Sequence, residues 1–234
     1  MPILALDTAT LVSSVALTMP DTLVAELTIQ TKLTHSELLM PHIDQLLKAA
    51  RVQKNALKAI AVSIGPGSFT GLRIGLASAK AMAFALNLPI VGVPTLEALA
   101  YNCLLPEFYL APMLDAQKGN VYFAVYHWHN GKLKEIKPAG VGAFDEVLDE
   151  LANMDKRVIT MGESAVMYRD RIMQAGGKVT MAPAHLIMPR AASVGLLGYQ
   201  MLNSGIQHEV MTMEPLYIRR SEAEELWERR HGAC

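Results

Sequence analysis

Two aspartates that each follow an apolar run are the residues whose placement first suggests chemistry. Asp7 ends the run at 3–6, and Asp115 ends the run at 109–114. Carboxylates at a first turn that faces a cleft commonly hold Mg²⁺-bound phosphates, because magnesium prefers oxygen ligands. An aspartate also caps the turn that follows it, and this structural role explains both positions at least as well. The sequence therefore offers two candidate phosphate-facing carboxylates, each with a structural alternative.

A glycine-rich loop after Ser63 is the second feature that could bind an anion. Gly65, Gly67 and Gly71 permit backbone angles that other residues avoid. A loop that opens a helix also presents free N–H groups and a positive dipole end. The spacing matches neither the GxGxxG nor the GxxxxGKS/T fingerprint, so the loop is a weak nucleotide signature. Together with the two aspartates, the candidate nucleotide-facing residues are Asp7, Thr8, Gly65, Gly67, Asp115 and Lys118.

The other chemistry-bearing side chains do not form a known catalytic or metal-binding pattern. The seven histidines make neither HExxH nor HxxxH, and His35 and His42 have no third ligand nearby. No GxSxG elbow is present, and Cys103 and Cys234 form no CxxC pair. The sequence therefore predicts no metal site and no cofactor bound by this chain alone.

The helix predicted from Leu72 to Leu86 is apolar around most of its circumference. Arg73 and Lys80 lie seven residues apart and share one narrow stripe, while the remaining positions are apolar or small. Two interpretations fit this pattern. The helix is either buried at the centre of a two-layer domain, or a partner covers its second face.

The elements that must position these residues fall into two similar halves. The segments at 3–6, 13–19 and 22–30 read as a three-strand meander, and the later strand–helix units continue the sheet in parallel. At an offset of 108 residues, Leu6-Asp7 falls on Leu114-Asp115, although so short a match also arises by chance. We predict an α/β protein of two duplicated domains, each opening with a β-meander on a mixed sheet flanked by helices. The domains would span 1–105 and 106–234, with a fraying tail from about 220.

Composition restricts the environment and the partners. The chain has 234 residues, of which 51% are hydrophobic and 18% charged, so a large core or an oligomer interface is expected. The net charge of −1 gives no overall electrostatic footprint for binding nucleic acid alone. The N-terminus lacks a basic region, and no apolar run reaches the roughly 20 residues of a membrane span. These features predict a cytoplasmic protein without membrane contact.

Six sequence segments together resemble the bacterial TsaB family, also called YeaZ. They are ILALDTAT at 3–10, HSELLMPH at 35–42, SIGPGSFTGLRIG at 63–75, VPTLEAL at 93–99, DAQKGNVY at 115–122 and PLYIR at 215–219. The resemblance implies an actin-, Hsp70- and sugar-kinase-like ATPase fold. It also implies a role in forming threonylcarbamoyladenosine in tRNAs that read codons starting with adenine.

The resemblance further implies a non-catalytic subunit that activates the transferase TsaD, with the small ATPase TsaE as a third component and tRNA bound indirectly. TsaD carries an HxxxH metal motif, which falls here on Thr95 and Leu99, and neither residue offers a nitrogen ligand. ATP or ADP at the joint with the partner is a further expectation. The alternative is a stand-alone enzyme of the same fold, either an ATPase using Asp7 and Asp115 or a metallopeptidase.

The family pairs through its first two helices, either with TsaD or with a second copy when isolated. This implies a partner for the second apolar face described above. The expected interface residues are Leu39, Met40, Ile43, Leu47, Arg73, Ile74, Ala77, Lys80 and Ala81.

Overall fold

A computed structural model describes residues 1–30 and 35–219. The first half forms a five-stranded sheet with three helices. Its elements are β1 (Ile3–Asp7), β2 (Val12–Met19), β3 (Thr22–Gln30), α1 (His35–Ala49), β4 (Ala59–Gly65), α2 (Phe69–Leu86), β5 (Ile90–Pro94) and α3 (Thr95–Tyr101). The strand order is β3-β2-β1-β4-β5, with β1 to β3 antiparallel and β4 and β5 parallel to β1. The predicted meander and its parallel continuation are confirmed.

The second half repeats this arrangement. Its elements are β6 (Tyr109–Asp115), β7 (Asn120–His129), β8 (Lys132–Ala143), α4 (Phe144–Ala152), β9 (Val158–Met161), α5 (Glu163–Met167), α6 (Arg169–Ala175), β10 (Val179–Met181), α7 (Ala184–Ile187) and α8 (Ala191–Asn203). The order β10-β9-β6-β7-β8 equals that of the first sheet when β6 to β10 replace β1 to β5. Asp7 and Asp115 each end the first strand of their sheet, so the duplication predicted from the sequence is confirmed.

Each sheet is covered on both faces, which explains why β1 is buried along its whole length and apolar up to Asp7. Helices α1 and α2 pack on one face of the first sheet, and α8 packs on the other. Helix α3 lies between the sheets, because Leu96 and Leu99 join the second core while Ala98 joins the first. Gly198 of α8 lets the helix approach the sheet closely, since a Cβ there would lie 2.7 Å from the Ala61 Cβ.

Some boundaries differ from those predicted. Helix α2 begins at Phe69, one turn earlier than expected, because Ser68 supplies its N-cap. Although α8 belongs to the second half of the sequence, it packs on the first sheet, so the domain division at 105/106 stays a prediction. The tail predicted to fray from about 220 lies outside the described residues.

Within the described residues, α2 is also the helix that is long and apolar enough to span a membrane, with a mean hydropathy of 1.2. Length and composition alone are weak evidence, since a core helix meets the same criteria. Helix α2 packs on the sheet through one face. A cytoplasmic location and the absence of membrane contact stay predictions.

Candidate partner-binding face and inter-domain cleft

Helix α2 has a buried face and an exposed face of unusual composition. The Ser68 Oγ accepts a hydrogen bond from the Gly71 N–H at 3.2 Å, and the helix ends at Asn87 in the left-handed conformation. The buried face holds Leu72, Leu76 and small residues. The exposed positions are Thr70, Arg73, Ala77, Ala81, Phe84 and Ala85. Phe84 is 72% exposed, so the outward surface near the end of α2 is apolar.

Most of the expected interface residues lie on this surface or beside it. Met40 of α1 is 51% exposed and Leu47 is half-buried, while Ile74 and Lys80 of α2 are half-buried. Leu39 and Ile43 are a correction, because they are 1% and 4% exposed and belong to the core under α1. Their side chains fill the space between α1 and the sheet and offer no surface to a partner. The interface role of the others stays a prediction.

Helix α1 is fixed to the sheet by a buried polar contact. His42 Nδ1 lies 3.2 Å from the Ser13 Oγ, and burial lowers the pKa of His42. A neutral imidazole suits this position, since the charged form would be poorly solvated there. His42 is therefore a structural histidine, and His35 contacts the Thr10 carbonyl oxygen through Nε2 at 2.7 Å.

Residues 208–217 form a strap that crosses the first half beside α2. The His208 N–H donates to the Ile90 carbonyl oxygen at 2.9 Å, and the Leu216 N–H donates to the Ile64 carbonyl oxygen at 2.7 Å. Between these two points, Met213 inserts its side chain into the first core and is 6% exposed. The strap is thus hydrogen-bonded to the first sheet at both ends.

The polar stripe of α2 faces this strap. Lys80 Nζ donates to the carbonyl oxygens of Met211 and Met213, both at 3.0 Å. Arg73 Nε donates to the Tyr217 hydroxyl at 3.0 Å, and the Tyr217 ring stacks on Phe69 with centroids 4.8 Å apart. A cavity of about 580 Å³ separates α2 from the strap. Arg73 and Lys80 therefore hold the strap, and the alanines beyond them remain exposed.

The glycine loop is packed against the turn after β1. A Cβ on Gly67 would lie 2.3 Å from the Ala9 carbonyl oxygen, and a Cβ on Gly71 would lie 2.1 Å from the Thr8 carbonyl oxygen. The Ser68 N–H donates to the Ala9 carbonyl oxygen at 2.7 Å. Gly67 and Gly71 are needed because a Cβ at either position would collide with the backbone of the turn after β1. Their role in the loop is therefore structural.

Asp7 lies beneath this loop and is fully buried. Its Oδ1 accepts a hydrogen bond from the Ala9 N–H at 3.0 Å. Neither its Oδ2 nor the Ser63 Oγ has a hydrogen-bond partner of acceptable geometry within the described residues. Burial raises the pKa of Asp7 to about 6, an effect that the Ala9 N–H and the nearby Ser63 hydroxyl partly oppose.

The remaining first-half candidates are equally covered. Thr8 is fully buried, and its hydroxyl donates to the Gly71 carbonyl oxygen at 2.8 Å. Gly65 is covered by the strap, since a Cβ there would lie 2.6 Å from the Leu216 carbonyl oxygen. Asp7, Thr8 and Gly65 are thus brought together, but under protein atoms rather than in an open pocket.

The equivalent turn in the second half is more open. Asp115 is half-buried, and its Oδ1 accepts a hydrogen bond from the Gln117 N–H at 2.8 Å, which is the turn-capping role. The Glu163 Oε1 accepts a hydrogen bond from the Asp115 N–H at 3.2 Å. Burial and the Asp115 carboxylate raise the pKa of Glu163. Lys118 lies in the same turn, in the left-handed conformation.

Comparison with known proteins identifies the relatives of this fold. A family model described as TsaD, tRNA N6-adenosine threonylcarbamoyltransferase, matches residues 23–227. The chain is 33% identical to the tRNA threonylcarbamoyladenosine biosynthesis protein TsaB of Bacillus subtilis, over 97% of this chain and 98% of that protein. The chain belongs to the TsaB family.

Solved structures agree with this TsaB membership. YeaZ from Pseudomonas aeruginosa matches with a TM-score of 0.77 and 28% identity, over 92% of this chain and 99% of that one. The ROK hexokinase of Thermus thermophilus matches with a TM-score of 0.50 and 11% identity, over 88% of this chain and 100% of that one. The second likeness shows the fold alone. The predicted sugar-kinase-like fold is confirmed.

The stretch on which the resemblance predicts that the HxxxH motif of TsaD falls, residues 95–99 of this TsaB chain, lies in α3. Thr95 and Leu99 are fully buried. The Thr95 Oγ1 accepts a hydrogen bond from the Gly65 N–H at 3.0 Å and does not cap its helix. Among the residues that the structure describes, no group of three or more His, Cys, Asp or Glu is placed to hold a metal. The absence of catalysis stays a prediction.

The strap residues are the functional candidates that sequence reasoning missed in this TsaB chain. Tyr217 lies in the PLYIR segment that helped to carry the family resemblance, but no local pattern indicated that it would stack on Phe69. Met213 and Glu163 lie in segments without a distinctive motif. A buried methionine near the end of a chain, followed by PLYIR, is the available signal that this segment returns to the core.

Proposed function

We propose that this chain acts in tRNA threonylcarbamoyladenosine biosynthesis as a non-catalytic subunit that binds TsaD through the exposed face of α1 and α2. The names of its TsaB relatives support the pathway. The match to the TsaD family model supports a common fold with the transferase. Two such chains could therefore pair through equivalent helices.

The observation that carries this proposal is the exposed surface of α2. A helix that packs on a sheet through one face normally presents charged residues on the other. Helix α2 presents Ala77, Ala81 and Ala85 together with Phe84, which is 72% exposed. Small residues allow a second helix to approach closely, and an exposed aromatic ring beside them supplies apolar area to bury.

The alternative of a stand-alone ATPase receives less support from the cleft. Asp7 and Thr8 are fully buried, and the Leu216 carbonyl oxygen lies against Gly65. A nucleotide would have to displace the strap before it reached these groups. ATP or ADP at the joint with TsaD, participation of TsaE, tRNA held mainly by the other subunits and a homodimer of the isolated chain remain parts of the proposal.

The test is a charge placed at the centre of the exposed face. In Ala81→Glu, a carboxylate would be buried without a partner when TsaD binds, and we expect a loss of affinity of about 100-fold or more. The matched control is Ala175→Glu, because Ala175 is an exposed alanine on α6 of the second half. Affinity is measured by calorimetric titration with TsaD, and circular dichroism verifies that both variants are folded.

Three outcomes decide between the hypotheses. Lost binding in Ala81→Glu with retained binding in Ala175→Glu supports the interface. Equal binding by both variants contradicts it. ATP hydrolysis by the isolated chain that disappears in Asp7→Asn would favour the enzyme instead.

A further inference from the structure

The second sheet carries cationic residues at one end of its strands, the end opposite the Asp115 turn. We call this row of strand ends the edge. Strands β6, β8, β9 and β10 begin at this edge, and β7 ends there. Three of the five strands place a lysine or arginine at it, and β7 places His127 there. We call the five lysines and arginines the cationic edge: Lys132, Lys134, Lys156, Arg157 and Lys178.

Several of these side chains are held in place. The Lys156 Nζ lies 2.7 Å from the His127 Nε2 and 5.5 Å from the centroid of the Tyr109 ring. The Arg157 guanidinium lies over the Phe108 ring at 5.2 Å. Tyr109 begins β6 and Phe108 directly precedes it, so the start of a strand that brings no cation supplies the aromatic rings on which neighbouring cations rest. The edge is an ordered row rather than a set of separate surface charges.

The charge of this row is only partly compensated. The acidic residues beside it are Glu107, Glu135 and Asp155, against five lysines and arginines. Lys132 and Lys134 are exposed and make no ion pair within the described residues. Since the whole chain has a net charge of −1, the excess of positive charge here is a local feature.

The first sheet provides an internal comparison. Its strands follow the same order, so the equivalent edge lies before β1, β3, β4 and β5 and after β2. The charged residues that directly flank those strand ends are Asp21 and Lys58. The strand order by itself therefore does not require a row of cations. The row in the second sheet needs another explanation.

We propose that the cationic edge binds the phosphate backbone of tRNA. Lysine and arginine neutralise phosphates and release counterions without reading sequence. The rings of Phe108 and Tyr109 lie under protein cations, which favours backbone contact over base stacking. The edge is in the opposite half from the α1–α2 face, so the two surfaces could be occupied together. The choice of tRNA as the polyanion rests on the proposed function.

The experiment uses two matched double variants of the full chain. Lys132→Ala with Lys134→Ala removes two exposed cations of the edge. Lys54→Ala with Lys58→Ala removes two exposed lysines at or near the equivalent edge of the first sheet, with the same change of net charge. Each is mixed with TsaD, and its binding to a fluorescent, unmodified tRNA transcript is followed by anisotropy between about 50 and 200 mM salt.

We expect the edge variant to bind more weakly and to lower the slope of log K against log salt by about two. The control variant should keep the wild-type slope. Equal behaviour of the two variants would overturn the proposal. If tRNA binding is unchanged while binding of TsaE is lost, the edge contacts an acidic protein surface, and the proposal is wrong.

Failure of the proposed function can be distinguished from failure of the cationic-edge proposal. Size-exclusion chromatography of the same samples reports whether the chain binds TsaD. If it does not, the tRNA titration is repeated with the isolated chain at low salt, where phosphate contacts are strongest. A difference between the edge and control variants there would still support the cationic edge, and its absence would reject it.

Discussion

The two halves of this protein share a strand order but not a surface. In both, the first strand ends at an aspartate, and the fourth strand ends beside a glycine of positive φ, Gly65 at 120° and Gly162 at 98°. The helices that follow these glycines differ. Helix α2 is one element of 18 residues, whereas the second half has the short helices α5 and α6.

The helices differ most on their outward faces. Helix α4 buries Phe144, Val147, Leu148 and Leu151, and its other positions include four acidic residues, as expected for a helix that meets solvent. Helix α2 presents alanines and Phe84, and its second-half counterparts α5 and α6 expose Val166, Met167 and Met173 on much shorter helices. The buried strands constrain both halves equally, but the helix surfaces do not, so the halves could diverge there. In the proposals above, the partner face therefore lies in the first half and the cationic edge in the second.

The largest expected effect tests whether the first half depends on close backbone packing. Gly71→Ala would place a Cβ 2.1 Å from the Thr8 carbonyl oxygen, and backbone atoms cannot move aside easily. We expect a loss of about 3 kcal/mol or more of unfolding free energy, although alanine is normally the better helix residue. Urea denaturation measures it. In the second half, a Cβ on Gly140 meets nothing within 4 Å, so Gly140→Ala should change stability by less than about 0.5 kcal/mol.

The next largest expected effect is a pH-dependent change in stability at Asp7, compared with its second-half counterpart Asp115. The pKa of Asp7 is raised from 3.8 to about 6 in the folded protein, so the folded state holds more protons than the unfolded state between these values. Stability attributable to Asp7 therefore falls as pH rises from about 4 to 6. Asp7→Asn should stabilise the protein by up to about 3 kcal/mol at pH 7 and by little at pH 3.5.

Denaturation at the two pH values measures this difference. The second-half counterpart, Asp115→Asn, should give a much smaller change, because Asp115 is half-buried and caps its turn. A similar gain in both variants would contradict the contrast between a covered and an open turn.

The smallest of these effects concerns the strap. Met213 is 6% exposed within the first core, so Met213→Ala should cost about 2 kcal/mol, at the low end for a buried methionine. Met173 of α6 is 66% exposed, and Met173→Ala should be nearly neutral. Thermal unfolding measures both. A neutral Met213→Ala would mean that the strap does not belong to the first core.

Much of the fold could be predicted because it is encoded locally. The apolar runs that end at Asp7 and Asp115 predicted two equivalent strands, and the offset of 108 residues predicted the duplication, which the equal strand orders confirm. The helix after Gly71 is apolar around most of its circumference. This pattern indicated that the helix is either buried within its domain or covered by a partner on its second face. Each of these features needs only neighbours along the chain.

The site could be predicted only in part. The family resemblance implied Leu39, Met40 and Ile43 as interface residues, but it could not say which side of α1 meets the sheet. The structure turns Leu39 and Ile43 inward and leaves Met40 at the surface. Nor could a local pattern show that the Thr95 hydroxyl accepts a hydrogen bond from the Gly65 N–H, which lies 30 residues earlier in the chain.

The sequence by itself therefore determined the strands, the glycine loop, the duplication and the family, because these depend on residue types at short and regular spacing. Only the tertiary structure decided which side chains are buried and which residues, distant in sequence, lie next to each other. The strap reaches Gly65 across about 150 residues of chain, and the cationic edge gathers residues at the starts of three strands. Such meetings follow from strand order and from the return of the chain to the first sheet, and neither is written in any local pattern.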